Sequence, residues 1–166
     1  MLLSACEPET KLAADGKPAP KVFRIGVAQQ SKIQFRTLDT INAFRNAKGV
    51  QLVELSAELT AAAATHSLDM SVQNRPWHFG SDGSSPIDRV ERAGYAGRML
   101  GENISETFES DSETLSAWML DPNTRSAILD PDATHIGISW YQEVSGKIWW
   151  TLIIGSSNSQ AGQASG

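Results

Sequence analysis

Apolar positions recur along this chain at two spacings, and the change from one to the other predicts its elements. In "FRTLDTINAFRNAKG", Phe35, Leu38, Ile41 and Phe44 recur every three residues, as on one helix face, and Gly49 supplies a C-terminal cap. A second helix runs through "SAELTAAAATHSLDMSVQ", opened at Ser56 and slimmed by alanines that allow close packing. "RPWHFGSDGSSP" is too rich in Gly, Ser and Asp for regular structure and reads as a long loop. A short helix follows in "SPIDRVERAGY", with Ser85 as N-cap, Pro86 at the first helical position and Gly94 as stop. "SDSETLSAWMLD" reads as another, capped by Ser112 and anchored in the core by Trp118. The spacing then shortens. "ATHIGISWYQEV" and "KIWWTLIIG" read as two strands joined at "SG", an antiparallel hairpin. Helices followed by a hairpin predict an α+β or layered α-β-α arrangement.

The flanks lack such periodicity. Residues 7–34 carry Pro8, Gly16, Pro18 and Pro20 and read as an extended tether, in which "KVFRIGVA" could add an edge strand. "SSNSQAGQASG" reads as a disordered tail. The expected partition is 1–34 tether, 35–155 folded domain and 156–166 tail.

Charge narrows the partners. A net charge of −5 argues against nucleic acid, which demands a clustered basic face. Arg89, Arg92 and Arg98 alternate with Asp88 and Glu91, the pattern of a solvated helix face. No apolar run reaches the roughly 18 residues of a membrane span. The single cysteine excludes an internal disulfide. Leu3-Ser4-Ala5-Cys6 matches the lipobox of bacterial lipoproteins, an apolar residue and two small ones before the cysteine that is acylated. That pattern predicts a secreted or envelope protein whose membrane contact is a lipid on Cys6.

Several residues invite chemistry that their settings do not support. Ser81, Ser84 and Ser85 follow His78, but no nucleophile elbow or oxyanion-hole element accompanies them, so the loop serves as a turn and helix start. Asp130 and Asp132 flank Pro131 without calcium-loop spacing and read as a turn. Adjacent Trp149 and Trp150 must point to opposite faces of a strand, one into the core and the other available to a surface groove. His66, in an alanine-rich helix, reads as a packed structural residue.

Taken in order, "LDTINAFRNAKGV", "LTAAAATHSLDM", "HFGSDGSSPIDRVERAGY", "GENI", "AWMLDP", "ILDPDATHIGIS" and "WWTLIIG" resemble the CAP superfamily (SCP or PR-1-like domains) in its compact bacterial form. The resemblance implies a three-layer α-β-α sandwich with a small antiparallel sheet and an open cleft. In that cleft His78 would face Glu102 of the GEN motif; a carboxylate on an imidazole fixes its tautomer and raises its basicity. The family's second histidine would fall at Thr124, a poor zinc ligand, so the divalent-metal site the family implies, here on His78, is weakened. His135 is the residue that would compensate. No catalytic residue is assigned. The expected function is binding of a lipid, a cell-wall fragment or a partner protein in a cleft of His78, Glu102, Thr124 and His135. A hydrolase using His78 and Glu102, or an envelope interaction module with a vestigial cleft, are the alternatives.

Overall fold

The structure is a computed structural model that describes residues 22–157. Cys6, with the lipobox around it, and the tail from residue 158 onward lie outside the described residues.

Among the described residues, nine α-helices and strands follow in chain order: α1 (Gln30–Lys48), β1 (Glu54–Leu55), α2 (Ala57–Gln73), α3 (Pro86–Arg92), β2 (Arg98–Thr107), α4 (Asp111–Leu120), α5 (Pro122–Ile128), β3 (His135–Gln142) and β4 (Ile148–Ser156). The strands form one sheet in the order β1-β3-β4-β2. β3 and β4 form the expected antiparallel hairpin, β2 adds to β4 as a further antiparallel strand that the sequence pattern does not predict, and β1 pairs parallel to β3, so the sheet is mixed.

Period-2 alternation along β4 divides the core into two layers. Ile148, Trp150, Leu152 and Ile154 face a cluster built with Ile33 and Ile41 of α1, Leu115 and Trp118 of α4 and Ile128 of α5. Ile153 faces the other way, against Leu59, Ala62 and Ala63 of α2 and Val90 of α3. β4 is buried along its whole length, which explains its near-continuous apolar sequence. Both Trp149 and Trp150 are fully buried, so neither lines a surface groove. Lys147 covers one face of the Trp149 ring, and the indole N–H donates to Glu143.

α2 lies almost in contact with the sheet backbone. A Cβ at Gly137 would collide with the carbonyl carbon of Leu59 and the backbone nitrogen of Thr60. Glycine is therefore required in β3 where the helix crosses it.

Other expectations are corrected by the packing. The buried stripe of α1 is Ile33, Thr37, Ile41 and Arg45, an i, i+4 series, while Phe35 and Phe44 are exposed. Arg45 is fully buried because its guanidinium donates to the carbonyls of Gln51, Ile128, Asp130 and Ala133, tying α1 to the turn before β3. The cap of α4 is Ser110, not Ser112: Ser110 and Glu113 exchange hydrogen bonds in a capping box. Helix α1 begins at Gln30, inside the expected tether, and Phe23 and Ile25 pack on the core ahead of it. No strand forms among the described residues of that stretch. Instead the Gln142 side chain accepts from the Ile25 N–H and donates to the Phe23 carbonyl, standing in for a strand partner.

Candidate functional site

The site is assembled on the α2–α3 side of the sheet. Glu102 of β2 pairs with Ile153, so its side chain enters that layer. The carboxylate is 2% exposed and collects three partners. His78, from the loop after α2, approaches it through Nδ1 at 2.9 Å. Arg89 of α3 donates from one terminal nitrogen to both oxygens, at 3.1 and 2.8 Å. His66 of α2 lies beneath, its Nε2 at 3.7 Å from Glu102 and 2.9 Å from the Trp77 carbonyl.

Local sequence explains how four distant residues converge. Ser56 caps α2 and Ser85 caps α3, the latter in a capping box with Asp88, which fixes where each helix starts. Asn74, with φ of 48°, ends α2 and turns the chain into the loop that carries His78. That loop is pinned at several points. Asp69 accepts from the Ser81 N–H and hydroxyl and from Gln73; Gln73 also donates to the Phe79 carbonyl; Trp77 stacks under Arg75 at 3.7 Å. Arg89 adds a bond to the His78 carbonyl itself, at 2.9 Å.

Burial differs sharply across the cluster. Arg89 is 4% exposed and His66 fully buried, whereas the His78 side chain is 51% exposed. Arg89 thus leaves the solvated helix face expected of it, whereas Arg92 keeps to that pattern, pairing with Asp82 at 2.7 Å. Burial pushes the His66 imidazole below its ordinary range, with the Arg89 charge adding to the effect and Glu102 opposing it. His66 is therefore neutral around pH 7. Desolvation pushes Asp69 upward, but its hydrogen bonds from Ser81 and Gln73 outweigh that and hold it below the usual carboxylate range.

Beside the cluster a depression of about 370 Å³ opens between α2 and α3. Ala61, Ala62 and Ala93 give it an apolar wall, and Ser81, Asp82 and Arg92 a polar rim. Arg89 is common to both, reaching from the depression's lining to Glu102.

Residues 38–154 match the family described as "CAP: Cysteine-rich secretory protein family". The chain belongs to the CAP family. It is 30% identical over 125 residues to the uncharacterized protein YkwD of Bacillus subtilis, covering 75% of this chain and 48% of the relative. An uncharacterized membrane protein of the same organism, YlbC, is 28% identical over 66% of this chain and 32% of its own length. The chain thus spans half or less of these two relatives. Among solved structures, an outer surface protein from Borrelia burgdorferi superposes with a TM-score of 0.70 at 16% identity, covering 81% of this chain and 98% of that one. An extracellular SCP-domain protein from Bacillus anthracis gives 0.70 at 19% identity, over 81% of this chain and 45% of that one. The α+β sandwich is the CAP fold.

Within this CAP domain the four expected cleft residues do not meet. Thr124 lies across the sheet. Asn103, which pairs with Leu152 and so faces the α1–α4–α5 layer, donates to the Thr124 carbonyl at 3.0 Å. The Thr124 hydroxyl donates to the Trp118 carbonyl at 2.7 Å. His135 opens β3 and joins a separate cluster, its Nδ1 3.1 Å from the Tyr95 hydroxyl and 2.9 Å from that of Thr134. It lines another depression with Glu58 and Tyr95. What the structure brings to Glu102 instead is Arg89 and His66. Sequence alone places one on a solvated face and the other in structural packing; the i, i+12 distance from His66 to His78 gives no signal of a shared carboxylate.

A zinc ion does not fit these donors. Among the described residues no three His, Cys, Asp or Glu side chains are grouped to hold a metal. Both Glu102 oxygens already accept from Arg89, and a dication beside that guanidinium would meet like charge. The cluster offers one accessible imidazole edge, oriented by a buried ion pair.

Proposed function

We propose that this CAP-domain protein acts outside the cytoplasm, at the cell envelope, held there by a lipid on Cys6, and binds a ligand beside His78. The family description names secretory proteins, and the outer surface and extracellular proteins that share its fold support that location. The observation that carries the binding reading is the half-exposed His78 ring, held at 2.9 Å by a carboxylate that is itself buried, next to an open depression with an alanine wall. Rigid presentation of one polar edge beside an apolar hollow suits recognition of a small amphipathic ligand: a lipid or a cell-wall fragment.

Calorimetric titration of the protein with muropeptides and with short-chain phospholipid tests this. Saturable binding to one of them, weakened about tenfold or more by His78→Ala and by Ala61→Phe, whose exposed place on the wall lets a ring fill the hollow, is the expected result. Binding unchanged in both variants would place the ligand elsewhere. Acylated Cys6, found by mass spectrometry of the native N-terminus, is the matching test of anchoring.

A further inference from the structure

We infer that the Arg89 guanidinium is the resident cation of the Glu102 cluster, occupying the role a metal would take, and that it fixes His78 as an outward-facing hydrogen-bond acceptor. This rests on the ligand-binding reading and deepens it, because it names what a ligand must bring: an N–H or O–H donor.

The chain of reasoning starts from Arg89. A guanidinium does not lose its proton in a protein, and burial at 4% exposure demands a counter-charge. Glu102, also buried, supplies it at 2.8 Å. A carboxylate held as an ion only accepts hydrogen bonds, so the 2.9 Å contact to His78 requires a proton on Nδ1. In the neutral ring the lone pair then sits on Nε2. No described residue hydrogen-bonds that nitrogen, and the side chain is half exposed. The bond from Arg89 to the His78 carbonyl holds the backbone in register with the ring, so one guanidinium positions both ends of the residue.

The same geometry accounts for the poor fit to zinc. Glu102 could help to hold a metal only after giving up Arg89, and His66 is fully buried with Nε2 committed to the Trp77 carbonyl. Arg89 is therefore a positioning residue. It acts on the ligand through His78.

Two measurements on the full chain test this without a ligand. Long-range ¹⁵N–¹H spectra of the imidazoles at pH 7.5 should show His78 as the Nδ1–H tautomer in the wild type and in Arg89→Lys. In Arg89→Met the Nε2–H tautomer should appear as well. Titration with zinc alone should give the same uptake for the wild type and His78→Ala. Arg89→Met should bind zinc about tenfold tighter, and adding His78→Ala should abolish that gain. An Nε2–H tautomer in the wild type overturns the inference, as does a tautomer indifferent to Arg89→Met, or wild-type zinc uptake that His78→Ala removes. If Arg89→Met fails to fold, the two wild-type readings still decide. Neither readout depends on muropeptide or phospholipid binding, so failure of the ligand reading would be seen separately.

Discussion

At the scale of single residues, the site depends on how buried charges are matched. Arg89 and Glu102 are both withdrawn from water, and the pair is held by bonds from the guanidinium to both carboxylate oxygens, while the Arg89 Nε is buried without a partner. His66 shows the opposite solution, a titratable group kept neutral by burial. Its pKa in the fold lies below that of the unfolded chain, about 6.5, so the unfolded state binds the proton first as pH falls. Stability from this residue is present above about pH 6.5 and is lost as the pH falls toward the lower folded value. Urea unfolding at about pH 7.5 and about pH 5.5, on either side of that ordinary value, should therefore show a loss that shrinks in His66→Gln, whose amide can keep the bond to the Trp77 carbonyl. An equal loss in the variant would mean that other groups carry the pH dependence.

At the scale of elements, the close seat of α2 on β3 places Leu59, Ala62 and Ala63 against the sheet and brings His66 within 3.7 Å of Glu102 of β2. Gly137→Ala should push the helix outward at a cost of about 1–3 kcal/mol, measured by chemical denaturation, and should broaden the imidazole resonances of His66 and His78. Stability within about 0.5 kcal/mol of wild type would show that the helix accommodates a methyl group without strain. This scale also shows what can be read from sequence. The caps at Ser56 and Ser85, the hairpin strands and Trp118 as a core anchor are legible, because each depends on local chemistry or strict periodicity. β2 is not. "RMLGENISET" is polar and glycine-broken, and becomes a strand because β4 offers it a long antiparallel ladder, interrupted by a bulge between Met99 and Gly101. The inner face of α1 is hidden for a related reason: Arg45 is inside only because four distant carbonyls await it.

At the scale of the molecule, the sheet separates two cores whose duties differ. The pairing of His78 with Glu102 is legible through the order of motifs, whereas the exclusion of Thr124 is set by the pleat, which sends Glu102 and Asn103 to opposite layers. Truncations on β4 should expose that division. Ile153→Ala and Leu152→Ala should each cost about 2–5 kcal/mol in urea unfolding. Only Ile153→Ala, on the Glu102 side, should also shift the His78 imidazole signals. Equal shifts from both would mean that the layers communicate through the sheet.

The position of β4 has a consequence for how the protein is made. This strand leaves the ribosome after every other described element, yet it is the one inserted between β3 and β2. Until it emerges, each of those neighbours lacks its long antiparallel partner, and both helical layers lack a floor. The four-stranded sheet therefore closes only once this strand has been translated.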